Sequence, residues 1–295
     1  MLQNTQKIVR QAGGGKGTYC NMTDDFDNIP IGFENYIPKP KPLNSKYMIE
    51  IKNISKAFDG RDVLMDINGS FKPGETSLII GGSGTGKSVL LKCMIGIMKP
   101  ENGEVLYDGR DFHNSDEEIQ KTIRREMGVL FQGGALFDSK TVSDNIKFPL
   151  DMLTDMSEKE KLDRVEFCLK RVQLENVGPR MPSEISGGMK KRVGIARAIV
   201  MNPKYLFCDE PNSGLDPLTS VKIDELIKEI TDEFNITTIV ITHDMNSVIG
   251  MGQKIMFLYE GKKLWEGDNT SIRTSDVPEM HEFIFANKLL QEVKI

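Results

Sequence analysis

One stretch of the chain constrains its fold more than any other. It is a glycine-rich octapeptide that fits the pattern G-x-x-x-x-G-K-[ST], made of Gly81, Gly82, Ser83, Gly84, Thr85, Gly86, Lys87 and Ser88. A short apolar run at residues 76–80 precedes it, and apolar residues at helical spacing follow it at residues 88–98. Strand, glycine loop and helix in this order predict the start of a βαβ unit whose backbone N–H groups close on phosphate oxygens. Lys87 would then reach the β- and γ-phosphates of a nucleotide, and Ser88 would offer its hydroxyl to Mg²⁺.

A second predicted strand ends in two carboxylates. The apolar residues 205–208 lead directly into Asp209 and Glu210. Adjacent acidic residues are common on solvated surfaces, but these end an apolar strand, which is where ligands bind in open α/β sheets. Asp209 is therefore predicted as the metal carboxylate. Glu210 is predicted to polarise a water that attacks the γ-phosphate, a general-base role that contributes about 10²- to 10⁴-fold in rate.

Composition excludes several classes of protein. Hydrophobic residues make up 39% of the 295 and charged residues 27%, and no apolar run approaches the ~18 residues of a membrane span. With a net charge of -5, the chain lacks the excess of basic residues found in proteins that bind nucleic-acid phosphates, so we expect no nucleic-acid partner.

The four cysteines form no CxxC pair, which predicts reduced thiols, with one buried disulfide as the alternative. The polar first ten residues predict no signal peptide.

The order of predicted elements is that of an α/β protein. Residues 1–47, rich in glycine, acidic residues and proline, predict a flexible extension or, alternatively, a peptide that docks on a partner. A β-hairpin with a turn at Asp59-Gly60 is expected from residue 48, and further strands at residues 76–80, 205–208, 237–241 and 255–259. A helix that begins at Pro217 separates two of these strands. The alternation predicts a parallel sheet with a helical insertion.

Two helices are predicted from their apolar faces. The first covers residues 157–176, begins with a capping box of Ser157 and Glu160, and presents Leu162, Val165, Leu169 and Val172 on one face. The second begins near Pro278, and its apolar residues are Met280, Phe283, Ile284, Leu290 and Val293. We expect this last helix to pack on the core, and a helix that binds a partner is the alternative.

With these elements in place, the chain resembles the ATPase subunits of ATP-binding cassette (ABC) transporters over residues 48 to about 268. Residues 185–192, Ile-Ser-Gly-Gly-Met-Lys-Lys-Arg, are similar to the signature sequence of that family. The resemblance implies that Ser186, Gly187 and Gly188 bind the γ-phosphate held by the opposite subunit of a dimer. The residues themselves agree, because Ser186 is a natural N-cap and two glycines at a helix start leave N–H groups open to an anion.

Four further site residues follow from the resemblance, each with an ordinary alternative. Gln132 is similar to the glutamine that senses Mg²⁺ and water and couples to the membrane subunit, although an isolated loop glutamine has no such role. His243 is similar to the histidine that contacts the γ-phosphate, whereas a lone histidine at a strand end is commonly structural. The run Ser213-Gly214-Leu215-Asp216 is similar to the loop that crosses the dimer interface in that family. Asp216 would also serve as a plain N-cap before Pro217. Phe58 matches the aromatic residue that stacks on adenine, or it covers the core as a hairpin aromatic.

The resemblance implies a P-loop NTPase fold of the α/β class. It consists of an ABC-type ATPase core with a mainly parallel sheet, an N-terminal antiparallel β subdomain and an inserted α-helical subdomain at about residues 138–200. The expected domains are a flexible extension at 1–47, the ATPase domain at 48–268 and a C-terminal helical extension at 269–295. The implied cofactors are ATP and Mg²⁺, the latter held by Ser88, Gln132 and Asp209. The implied partners are a second copy of the chain, with ATP sandwiched between the two, and integral membrane permease subunits.

A narrower resemblance suggests a transported substrate. Met189 stands where many family members carry Gln, and Asn212 stands where many carry Thr. Met189, together with residues 131–138 and 142–145, is similar to the Mla or mammalian-cell-entry (MCE) branch, which powers phospholipid transport between bacterial membranes. It implies an MCE-domain lipid-binding partner and a location on the cytoplasmic face of the inner membrane, reached through the permease. The alternatives are an ABC ATPase for another substrate, a soluble ABC factor that remodels ribosomes or DNA, and a P-loop kinase, which would not explain Ser186-Gly187-Gly188.

Overall fold

Two β-sheets and a set of α-helices form the part of the chain that this computed structural model describes, residues 48–285. The strands are β1 (Ile49–Phe58), β2 (Arg61–Phe71), β3 (Thr76–Ile80), β4 (Asn102–Tyr107), β5 (Arg110–Asp111), β6 (Met127–Leu130), β7 (Tyr205–Asp209), β8 (Thr237–Ile241), β9 (Lys254–Tyr259) and β10 (Lys262–Gly267). The helices are α1 (Lys87–Met94), α2 (Glu117–Arg125), α3 (Val142–Leu153), α4 (Glu158–Arg171), α5 (Gly187–Ile199), α6 (Pro217–Phe234), α7 (Met245–Met251) and α8 (Pro278–Phe285). Short 3₁₀ turns lie at Pro182–Glu184 and Ser271–Thr274.

The first sheet is antiparallel, with the strand order β2-β1-β4-β5. Its β1–β2 hairpin turns at Asp59 and Gly60, which both have positive φ angles, 49° and 78°. A two-residue turn of this kind matches the twist of the flanking strands, and Asp-Gly is a sequence that favours it. Ile49, Ile51 and Ile54 are buried on one face of β1. The predicted hairpin and the antiparallel subdomain are confirmed.

The second sheet has the order β10-β9-β3-β8-β7-β6, and all its strand pairs are parallel except β9 with β10. Its central strands are buried on both faces. Leu78 and Ile80 pack into a core with the helices, whereas Ile79 packs into a second core that lies against the antiparallel sheet. Fully covered strands read as continuous apolar runs. This explains why residues 76–80, 205–208 and 237–241 could be predicted as strands.

The middle of the chain is helical and contains α3, α4 and α5. The capping box predicted at Ser157 and Glu160 is present at the start of α4. The helix is shorter than predicted, because it ends at Arg171 and not at residue 176. Leu162 does not share the buried face as predicted: it is 47% exposed. The predicted helix after the glycine loop also ends early, at Met94. Gly96 has a φ of 75°, and the N–H of Ile97 donates back to the carbonyl of Lys92 at 2.9 Å.

The last described helix, α8, packs on the core as expected. Met280 and Ile284 are buried, and the ring of Phe283 lies 5.5 Å from that of Phe257. Cys93, Cys168 and Cys208 are free and buried, as the predicted reduced thiols require. The predictions for residues 1–47, Cys20, Leu290 and Val293 lie outside the described residues. Within residues 48–285 no helix has the length and apolar character that crossing a bilayer requires.

Candidate functional site

The glycine loop between β3 and α1 is shaped so that only glycine fits at two of its positions. Gly81 has a φ of +148°, and a Cβ there would lie 2.2 Å from the carbonyl oxygen of Leu258. Gly86, with a φ of +100°, would place a Cβ 2.8 Å from the carbonyl oxygen of Val63. Gly86 is also the N-cap of α1, and it supplies no side-chain acceptor for the first N–H groups of that helix. These groups are therefore available to an anion, as the sequence pattern predicts.

Lys87 lies inside this loop. Its side chain is largely buried, with the residue 8% exposed, and its ammonium donates to the carbonyl oxygens of Gly81 (2.8 Å) and Gly82 (2.7 Å). Burial lowers the pKa of Lys87, while the carboxylates of Glu210 and Asp209 act in the opposite direction. A cation held by two carbonyls at this place can exchange them for phosphate oxygens. Ser88, the next residue, is exposed on the first turn of α1.

Asp209 is the last residue of β7 and pairs with Ile241 of β8. Its Oδ1 atom is buried and finds no hydrogen-bond partner within residues 48–285. Burial raises the pKa of Asp209, and the neighbouring Glu210 adds to the shift. A buried carboxylate oxygen without a donor costs free energy, and a hard divalent cation would offset that cost. The residue therefore fits a Mg²⁺ ligand, with the hydroxyl of Ser88 and the amide oxygen of Gln132 as further oxygen donors.

Glu210 and His243 are in direct contact. Glu210 follows β7 and has a left-handed backbone, with a φ of 48°, and its N–H donates to the carbonyl of Ile241 at 2.9 Å. His243 lies just beyond the end of β8, and its Nδ1 is 2.8 Å from Oε1 of Glu210. Because a carboxylate only accepts, Nδ1 carries the proton of this hydrogen bond. The His243 side chain is 67% exposed, so its ring also faces the solvent side of the site.

Gln132 lies in an exposed loop two residues after the end of β6. Leu130, at the end of β6, pairs with Cys208 of β7, one residue before Asp209. The carboxyl ends of β3, β6, β7 and β8 therefore share one edge of the parallel sheet. This edge brings together the glycine loop, Gln132, the two carboxylates and His243.

The signature residues are at the start of α5. Ser186 is the N-cap, and its Oγ accepts from the N–H of Met189. A Cβ at Gly187 would meet Leu215, and one at Gly188 would meet Thr219, whereas no atom of residues 81–88 lies within 4 Å of either position. The structure thus places the signature beside the start of α6, not beside the glycine loop of the same chain.

Asp216 is the N-cap of α6, which is the plain structural role that the sequence left open. Its Oδ1 accepts from the N–H of Thr219 at 3.0 Å, and its Oδ2 accepts from the Thr219 hydroxyl at 2.5 Å. These bonds from Thr219 lower the pKa of the Asp216 carboxyl. The side chain is exposed and lies one residue beyond Leu215, which borders the signature.

Phe58, the last residue of β1, is 40% exposed and therefore does not serve mainly to cover the core. The ammonium of Lys56 lies 5.5 Å from the centre of its ring. An exposed aromatic face is able to stack on a base.

The comparisons with known proteins decide the family. The family model described as "ABC transporter" matches residues 64–213. The probable ribonucleotide transport ATP-binding protein mkl of Mycobacterium leprae is 38% identical over 241 residues, which cover 82% of this chain and 70% of the relative. The chain belongs to the ABC transporter family. It carries the ATP-binding domain of that family and is an ATPase.

Two other relatives carry different names. The chloroplastic protein TRIGALACTOSYLDIACYLGLYCEROL 3 of Arabidopsis thaliana is 37% identical over 258 residues, which cover 81% of this chain and 74% of the relative. The methionine import ATP-binding protein MetN of Clostridium acetobutylicum is 38% identical over 237 residues, which cover 80% and 74%. The relatives thus include one named for ribonucleotide transport, one named for methionine import and one named after a glycolipid.

Solved structures of ABC cassettes match the fold. One is a dimeric bacterial ABC transporter cassette, with a TM-score of 0.69 and 34% identity, covering 75% of this chain and 98% of that one. The same cassette is also known as a dimer in a post-hydrolysis state bound to ADP and phosphate, with a TM-score of 0.68 and 33% identity, covering 75% and 98%. Another is CbiO1 of Clostridium perfringens, part of the ABC transporter complex CbiONQ, with a TM-score of 0.73 and 31% identity, covering 85% and 100%. The predicted fold, a P-loop ATPase core with an antiparallel subdomain and a helical insertion, is confirmed.

Sequence reasoning assigned no structural role to two polar residues that lie buried close to Glu210. The ammonium of Lys191 donates to the backbone carbonyl of Glu210, at 3.1 Å. The amide of Asn212 donates to Asp224 (2.7 Å) and to Ser247 (2.9 Å). Lys191 belongs to a Lys-Lys-Arg run that is typical of a solvated face, so no signal in a single sequence distinguishes it from its neighbours.

Proposed function

We propose that this ABC ATPase drives transport of phospholipid between the inner and outer membranes, as part of a permease complex of the MCE type. The proposal rests chiefly on the relative from Arabidopsis thaliana, which is named after a glycolipid, trigalactosyldiacylglycerol. Met189 in the signature, and the similarity of residues 131–138 to the lipid-transporting branch, support it. The relatives named for ribonucleotide transport and methionine import make small polar substrates the rival outcome.

In the proposed reaction, Glu210 accepts a proton from the water that attacks the γ-phosphorus, while the bond from phosphorus to the β,γ-bridging oxygen breaks. His243 holds the Glu210 carboxylate through the Nδ1 hydrogen bond, so that the second carboxylate oxygen faces the water. Lys87 exchanges its loop carbonyls for the β- and γ-phosphates. Mg²⁺, when bound by Ser88, Gln132 and Asp209, supplies charge neutralisation of the β- and γ-phosphates.

We further propose that two copies sandwich two ATP molecules. The signature residues Ser186, Gly187 and Gly188 lie away from the glycine loop of their own chain, which supports the proposal that their N–H groups would meet the γ-phosphate bound by the other copy. Asp216 would line the same interface, and Phe58 would stack on adenine. Gln132 would transmit the change to integral membrane permease subunits, which hold the ATPase on the cytoplasmic face of the inner membrane.

The proposed domain boundaries are an extension at residues 1–47, an ATPase domain at residues 48–268 with its helical subdomain at about 138–200, and a C-terminal extension at 269–295. The helical subdomain contains α3, α4 and α5, and thus carries the signature.

The test of the catalytic part is Glu210→Gln, which removes the base and keeps the size of the side chain. We expect ATP binding to persist, turnover to fall by at least about 10²-fold and a stable dimer to form with ATP. Glu104→Gln, on an exposed position of the antiparallel sheet, is the matched control and should hydrolyse ATP normally. Undiminished hydrolysis by the Glu210→Gln protein would falsify the assignment of the base.

The test of the substrate uses the same trapped protein. Tagged Glu210→Gln protein is isolated from mildly solubilised native membranes with ATP and Mg²⁺, and with ADP as the control, and co-purifying proteins and lipids are identified by mass spectrometry. A multi-span permease, an MCE-domain protein and ATP-dependent enrichment of phospholipid are the expected result. A permease recovered with a binding protein for nucleotides or amino acids, and without phospholipid, would refute lipid transport and leave the ATPase mechanism intact.

A further inference from the structure

Lys191 is a buried lysine to which the proposed function assigns no role. It is 3% exposed and lies one turn into α5, three residues after Gly188 of the signature. Its ammonium donates to the carbonyl oxygen of Glu210 at 3.1 Å and lies 3.5 Å from the hydroxyl oxygen of Ser213. A buried ammonium is retained only where its hydrogen bonds offset the lost hydration. Its partners here are the backbone and loop of the proposed base.

The carbonyl that Lys191 contacts belongs to a strained residue. Glu210 has a φ of 48°, a left-handed conformation that costs free energy for any residue with a Cβ. Such a conformation persists when the surroundings fix it. The peptide groups on both sides of Glu210 are held: its N–H donates to Ile241, and its carbonyl accepts from the N–H of Ser213 (3.2 Å) and from Lys191. The direction of the Glu210 side chain follows from this backbone.

We propose that Lys191 is a positioning residue that holds Glu210 in its working orientation and links it to the signature turn. The inference rests on the proposed function, because the signature acts on the nucleotide bound by the partner copy. The first turn of α5 carries Gly187 and Gly188, and Lys191 follows one turn later on the same helix. A shift of this helix when the dimer closes therefore moves the donor to the Glu210 carbonyl. When the signature closes on the ATP bound by the partner copy, Lys191 thereby orients Glu210, which acts on the ATP bound by its own chain.

The first experiment compares three variants. Lys191→Met removes the ammonium and keeps an unbranched stem, Lys191→Arg keeps a charged donor, and Lys228→Met changes an exposed lysine of α6 as the control. For Lys191→Met we expect kcat to fall about 10- to 100-fold, the loss of a hydrogen bond from a charged group, with ATP affinity within about twofold of wild type. The Hill coefficient for ATP should fall towards one. Lys191→Arg should recover much of the rate, and Lys228→Met should resemble wild type.

The second experiment distinguishes positioning from a general loss of structure. If Lys191 acts through Glu210, then Lys191→Met should cause little further loss of single-turnover rate in a Glu210→Gln background, so the two effects are not additive. Additive losses, or a fall in kcat that is matched by an equal fall in ATP affinity and is not restored by arginine, would overturn the proposal. If the Lys191→Met protein does not fold, Lys191→Leu is used in its place, since leucine also removes the donor.

The outcomes also separate this inference from the proposed function. If Glu210→Gln abolishes turnover while Lys191→Met hydrolyses ATP at the rate of Lys228→Met, only the role of Lys191 fails. If Glu210→Gln hydrolyses ATP normally, the assignment of the base fails, and the role of Lys191 fails with it.

Discussion

The buried carboxylate of Asp224 makes the stability of this protein depend on pH in a direction that can be worked out. Asp224 lies on α6 and accepts a hydrogen bond from Asn212, which follows the catalytic segment by two residues. Its pKa is raised from the usual 3.8 to about 6, chiefly by burial, although hydrogen bonds from Ser247 and Asn212 act to lower it. The negative charges of Asp244 and Glu225 raise it further. The folded protein therefore binds this proton more tightly than the unfolded chain does.

The sign follows from that difference. Between a pKa of 3.8 in the unfolded chain and about 6 in the folded protein, protonation of Asp224 stabilises the fold, and this contribution disappears as the pH rises through 6. The full difference corresponds to about 3 kcal/mol, and the part lost between about pH 5 and pH 8 is about 1.4 kcal/mol. For a protein of this size that part equals about 3 to 5 °C in Tm.

The assay is thermal unfolding of the wild type and of Asp224→Asn at both pH values. Asparagine keeps the size and an oxygen acceptor for Asn212 but does not ionise, so the Tm of the variant relative to wild type should rise by about 3 to 5 °C from pH 5 to pH 8. Asp232→Asn, at an exposed position of the same helix, is the control and should show no such change. A difference between variant and wild type that is constant across this range, or that shrinks at high pH, would refute the reasoning.

Three further predictions concern the nucleotide site. Gly81→Ala places a Cβ 2.2 Å from the carbonyl oxygen of Leu258, and we expect affinity for a fluorescent ATP analogue to fall by at least about tenfold; unchanged affinity would contradict the loop geometry. Phe58→Ala should weaken ATP binding by about 1 to 3 kcal/mol in calorimetric titration, while Phe58→Tyr should bind normally; equal binding by both variants would exclude stacking. His243→Ala removes the hydrogen-bond partner of Glu210, so kcat for phosphate release should fall by about 10²-fold with ATP affinity unchanged. A loss of ATP affinity instead would mean that His243 mainly binds the nucleotide.

The elements that could be predicted from sequence are those whose signals are local. The strand at residues 76–80, its glycine loop and the hairpin turn at Asp59-Gly60 depend on adjacent residues alone. The start of α6 is equally local, because Asp216 caps it and Pro217 occupies its first position.

The elements that were missed depend on tertiary packing or lack a pattern. Helix α3 contains Pro149 in its interior, which normally argues against a helix. Helix α2 has only two apolar residues, Ile119 and Ile123, of which Ile123 alone is buried, so its apolar pattern is too short to predict a helix. Leu162 has the spacing of the buried face of α4 but lies where no neighbouring element covers it fully. Its exposure depends on how α4 sits against α3 and α5, which spacing alone does not encode.

The site itself shows the same division. Glu210 could be proposed from the strand that it follows, and His243 from the resemblance to the family, but their contact joins positions that are 33 residues apart. The bond from Lys191 to Glu210 likewise depends on how α5 packs beside the end of β7. Sequence identifies the chemical groups, and the packing of the helices determines which of them act on each other.

The strand order explains why these groups form one site. Strand β8 comes late in the chain, yet it lies between β3 and β7 and pairs with both. Since neighbouring strands are about 4.8 Å apart, the glycine loop after β3 and the carboxylates after β7 are separated by about 10 Å, which leaves room for phosphates and an attacking water. The intervening strand ends two residues before His243, so the residue that contacts Glu210 follows the strand that lies between the phosphate loop and the two carboxylates. A sheet that joined β3 directly to β7 would bring the carboxylates against Lys87 and leave no such gap. The insertion of β8 therefore provides the space that the proposed hydrolysis requires between the phosphate loop and Glu210.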